Sequence, residues 1–134
     1  MEEEPKSTEK KEQTEQIILD DATKAKWYKV VFHLKKQFGK KPNMDAIIFL
    51  IGVNEFGQMR EFSKEEKMDL MHIATCKLLS YEGYFVYDGR DDEGWPHYTQ
   101  IKKPPYTDLL NQENLLRKLV VKYYEENNLF EEDN

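Results

Sequence analysis

Three short stretches of this chain carry residue types able to do chemistry, and none of them is a complete site by itself. Asp69, His72 and Cys76 are spaced three and four residues apart. On a helix they share one face, where oxygen, nitrogen and sulfur donors could meet on a metal ion. A zinc site needs three or four ligands held by more than one rigid element, and no second ligand pair at helical spacing accompanies these. The plainer reading is a buried seam of Met68, His72, Cys76 and Leu79 with the imidazole hydrogen-bonded to a neighbour, so no metal is favoured. Gly94-Trp95-Pro96-His97-Tyr98 is the second stretch. Large aromatics beside a proline, when only half covered, are groups that anchor a partner, and an imidazole there could act as acid or base near neutral pH. The competing reading has Trp95 and Tyr98 capping the core while His97 faces water. The third stretch is basic: Lys24, Lys26, Lys29, Lys35, Lys36, Lys40 and Lys41 fall within residues 22–44, with no acid among them.

The lysine run could touch phosphates, but lysine without arginine gives attraction and little reading of bases. A solvated helix face accounts for it, and an acidic protein patch is a better match for Lys35 and Lys36 than nucleic acid. Asp88 to Gly94 is rich in carboxylates yet departs from the twelve-residue calcium loop, since Arg90 and Gly94 stand where oxygen ligands belong. It reads as a solvated turn, in which nothing should perturb the ionisation of Asp91 and Asp92. There is no glycine-rich phosphate loop, nucleophile elbow or paired histidine motif. No catalytic residue and no cofactor are therefore expected.

The elements that must position these residues are mostly helical. A first helix starts at Asp20 or Asp21, either able to accept from first-turn amides, and stops at Gly39, which takes the left-handed cap conformation without steric cost. Its buried stripe is Trp27, Val31, Leu34 and Phe38, widened by Val30. A second helix follows Asn43, is apolar nearly all round from Met44 to Val53, and ends at Gly57. That apolarity assigns it to the centre of the fold. Ser63-Lys64-Glu65-Glu66 is a capping box opening a third helix that runs through Met68, Leu70, Ile73, Cys76 and Leu79 to a stop at Gly83. Tyr84–Tyr87 and Trp95–Ile101 then alternate as strands of a hairpin. Pro96 makes the second strand an edge, or delays its start. Two strands are marginal in water and must lean on the helices. A fourth helix runs from Thr107 or Asn111 to Asn127.

Composition narrows the class. Of the 134 residues, 39% are hydrophobic and 34% charged, and the polar excess sits at the ends. Residues 1–18 read as a disordered polar tail, 19–128 as a single helical domain, and 129–134 as an acidic C-terminal tail. Met1 to Ile17 lacks the apolar stretch of a signal peptide, and the longest apolar run, Ala46 to Ile51, is far short of a membrane span. Cys76 is the single cysteine, so no intrachain disulfide can form, and the reading is a cytoplasmic protein with no membrane partner.

Lys41-Pro42-Asn43-Met44-Asp45-Ala46, the run Phe62 to Ala74, and Gly94-Trp95-Pro96-His97 resemble a family of small hypothetical proteins from Bacteroidota-type bacteria, over residues 25–128. The resemblance implies a compact cytoplasmic bacterial protein and brings no activity, cofactor or catalytic residue. The expectation is a mainly α, four-helix compact domain with a small β-hairpin between helices three and four. Its function reads as a non-enzymatic protein-interaction module using Trp95, His97, Tyr98, Lys35 and Lys36. A metal-binding protein or enzyme centred on Asp69, His72 and Cys76 is the alternative, and nucleic-acid binding through the lysine helix the weakest.

Overall fold

The computed structural model describes residues 16–106 and 108–130; the ends of the two expected tails, and Thr107, lie outside them. Four helices and one hairpin follow in order: α1 (Asp21–Phe38), α2 (Met44–Phe56), α3 (Lys64–Ser80), β1 (Phe85–Arg90), β2 (Pro96–Gln100) and α4 (Leu109–Glu126). The protein is mainly α, as its helical periodicities require.

The helix ends are set by side chains whose roles are local. Asp20 accepts from the Thr23 amide, Asn43 from Ala46, and Asp108 from Asn111. Each satisfies a first-turn donor that has no partner inside the helix. At α3 the capping box closes in both directions, Ser63 accepting from the Glu66 amide and Glu66 from the Ser63 amide. Gly39 (φ 85°) and Gly57 (φ 91°) end α1 and α2 in the left-handed region. The third helix does not run to Gly83. It ends at Ser80, and Tyr81 to Gly83 form turns.

Ile47, Ile48 and Ile51 of α2 meet Ala74, Leu78 and Leu79 of α3 in the core, which Val30 and Leu34 of α1 and Leu115 to Tyr124 of α4 complete. The two helices come close together at Gly52. A Cβ there would fall against the Leu70 carbonyl oxygen and 2.7 Å from its carbon, so α2 and α3 touch backbone to backbone. By contrast α1 packs chiefly on α4. With one main neighbour its covered arc is narrow: Val30 and Leu34 are buried, whereas Phe38, expected inside, is 54% exposed. Met68 and His72 are likewise exposed, whereas Cys76 and Leu79 of the expected seam are buried together with Leu70 and Ile73. Ile17, within the expected tail, is tied to α4: its amide donates to Asn111 and its carbonyl accepts from Asn114.

The hairpin is antiparallel and leans on α3. Its first strand is longer than expected because a bulge at Asp88, between the Tyr87–Tyr98 and Gly89–His97 pairs, lets pairing continue to Arg90. Gly89 takes φ 96° there, a conformation that a Cβ disfavours. Pro96 is the first residue of β2, where its missing N–H costs the ladder least.

Candidate functional site

The fold brings two of the three candidate stretches together. Asp69, His72, Ile73 and Cys76 of α3 form one wall of a cleft of about 400 Å³; Asp91, Glu93, Trp95, Pro96, His97 and Tyr98 of the hairpin form the other. None of the lining residues comes from α1, so Lys35 and Lys36 belong to a separate surface, where both are exposed.

Asp91 organises the hairpin wall. Its Oδ1 accepts from the amides of Glu93 and Trp95, each at 2.9 Å, and its Oδ2 lies 2.9 Å from His97 Nε2. The His97 side chain, followed by the Trp95 amide, holds the Asp91 carboxyl below the usual carboxylate range. The ionisation of Asp91 is thus perturbed, contrary to the reading of a plain solvated turn. An ionised carboxylate only accepts, so the imidazole presents Nε2–H to it, and in the neutral ring Nδ1 is left as an acceptor.

Arg90 fixes the hairpin to the end of α2. Its guanidinium donates to the carbonyls of Glu55 (2.7 Å), Phe56 (3.1 Å) and Gly94 (2.6 Å). The first two are terminal helix carbonyls that lack partners in the helix, and a cation there also complements the helix dipole. Trp95 is half-buried and stacks on Phe56, with ring centroids 4.5 Å apart and planes 27° apart. It therefore both caps the core and lines the cleft. Tyr98 packs against Tyr87 at 5.5 Å, and burial, then Glu55, raises its phenol, which stays neutral.

On the helical wall, Asp69 and His72 are exposed and Cys76 is buried. Cys76 Sγ lies 3.5 Å from His72 Nε2. Burial pushes the Cys76 thiol up to about 11, so at neutral pH it is a protonated S–H and neither a nucleophile nor a ready metal ligand. Among the described residues, no three His, Cys, Asp or Glu side chains are arranged to hold a metal ion.

The sequence named Trp95, His97, Tyr98, Asp69, His72 and Cys76 as candidates but did not show that they meet. It missed Glu93 as part of the site and the ordering role of Asp91. An Asp three residues before a Gly was the available signal for that role, since Asp side chains favour bonding to amides two residues on. Arg90 carried no signal for its clamp on α2, because the Glu55 and Phe56 carbonyls are remote in sequence.

Site and fold together define a mainly α four-helix domain whose inserted hairpin forms a cleft with the third helix. No protein-family model matches the chain, and no curated protein or solved structure does so either. Among the described residues, no helix is long and apolar enough to cross a membrane.

Proposed function

We propose that this protein is a non-enzymatic protein-interaction module of the cytoplasm whose α3–hairpin cleft receives a cationic side chain, lysine or arginine, of a partner protein. One observation carries the reading: Asp69, Asp91 and Glu93 converge on the same concavity as Trp95 and Tyr98, and among the described residues no lysine or arginine lines it. Carboxylates supply charge-assisted hydrogen bonds to an ammonium or guanidinium, and aromatic faces attract the same cations. The protonated state of Cys76 supports binding over thiolate chemistry.

An array of short peptides that differ only in arginine, lysine, citrulline or acetyl-lysine at the central position tests this. The cationic members should be retained, and Asp69→Asn combined with Glu93→Gln should remove the preference. Equal retention of charged and neutral members would contradict it.

A second reading, a small enzyme, draws on the Asp91–His97 pair, in which a carboxylate orients an imidazole as it does for many general bases. Turnover of an ester substrate that is abolished by His97→Gln would favour that reading.

A further inference from the structure

The outer face of α1 carries two aromatic side chains that the core does not use. Tyr28 is 67% exposed and Phe32 63%, and their spacing of four places them one turn apart as a single ridge. Val30 and Leu34 occupy the opposite, buried side against α4. Lys24, Lys35 and Lys36 are exposed around the ridge, and Lys36 Nζ lies 5.8 Å from the Phe32 ring centroid. Asp21 is the only acid in the helix, at its first turn. Exposed aromatics at i and i+4 with a positive border have the form of a helix face that pairs with another helix.

We infer that this face docks an acidic amphipathic helix of a partner protein. Charge complementarity selects the partner: a helix with apolar residues at helical spacing covers Tyr28 and Phe32, while glutamates beside that stripe meet the lysines, as flanking charges do in paired helices. Shape disfavours a polynucleotide, because proteins that bind single strands track the backbone in a basic groove, and Tyr28 and Phe32 form a convex ridge. The face belongs to the interaction-module reading but shares no residue with the cleft.

The probe is a fluorescent synthetic peptide of about three heptads, with leucine at the inward positions and glutamate beside them. It contains no lysine or arginine, so the cleft offers it no matching contact, and the two readings fail separately. Anisotropy should show saturable binding to the full chain that weakens with added salt. Phe32→Ala and Tyr28→Ala should each weaken it about ten-fold, and Lys35→Glu with Lys36→Glu should abolish it. Both aromatics are exposed, so these variants should keep the parental circular dichroism and melting temperature. Absence of peptide binding, or binding indifferent to Phe32→Ala and Tyr28→Ala, would overturn the inference. So would tighter binding of an oligothymidylate at the same residues, or self-association of the chain that Phe32→Ala removes.

Discussion

Replacing Gly52 by alanine sets two effects of opposite sign against each other. Gly52 lies inside α2, where alanine is the better helix former by about 1 kcal/mol. Propensity alone therefore predicts a more stable protein. Packing predicts the reverse, because the new Cβ would sit 2.7 Å from the Leu70 carbonyl carbon and closer still to its oxygen. Those are backbone atoms of α3 and cannot rotate aside, so the two helices must move apart. Overpacking of that kind costs about 3 kcal/mol or more where the obstacle is rigid, leaving a net loss of about 2 kcal/mol. For a domain of this size that lowers Tm by roughly 7 °C. Urea denaturation followed by circular dichroism should show a lower midpoint with an unchanged slope, the signature of lost stability without a change in cooperativity. The shift should also reach the cleft, since Leu70 precedes His72 on the displaced helix, and the His72 ring resonances should move. A variant as stable as the parent, or more so, would refute the claim that α2 and α3 meet backbone to backbone.

Arg90→Ala should cost about 1 kcal/mol, since the terminal carbonyls it leaves can be rehydrated, and should speed amide hydrogen exchange at Trp95 and His97. Arg90→Lys should not rescue it, because one ammonium cannot reproduce a guanidinium fork aimed at three carbonyls. Native Cys76 should resist iodoacetamide at pH 8 and react once the chain is unfolded. Its raised folded-state value also has a stability consequence of definite sign. The contribution is fully present below the ordinary thiol value of 9.0 and is lost as pH rises through about 11. Tyr81, raised to about 12, adds to the same decline. The urea midpoint should therefore fall as pH rises from 9 to 11, and Cys76→Ala should flatten part of that slope.

How much of this was legible in the sequence differs by element. Caps whose signals are local were readable: Asn43, Gly39, Gly57 and the Ser63–Glu66 box all act where the sequence placed them. The burial of α1 was readable only in part: Val30 and Leu34 are buried and Trp27 packs on the core as the stripe required, but Phe38, which satisfies the same periodicity, is exposed. Only the position of α4 decides which arc is covered. The same degeneracy hid the exposure of Tyr28 and Phe32. At the site, the sequence supplied two half-walls as separate candidates, Asp69–His72–Cys76 and Trp95–Tyr98. What joins them is the packing of the hairpin on α3 and the Arg90 clamp onto α2. Both are long-range contacts that local patterns do not encode, and the bulge at Asp88 that aims β2 is likewise visible only in the pairing register.

Whether the cleft takes up a cationic side chain is decided by a nuclear magnetic resonance titration of the full chain with a blocked glycine-arginine-glycine peptide. Saturable shifts are expected, confined to the Trp95 indole N–H, the His72 and His97 rings and the amides of residues 91–95, 97 and 98, with none from the matching citrulline peptide. Shifts scattered over other surfaces, or equal responses to arginine and citrulline, would contradict it.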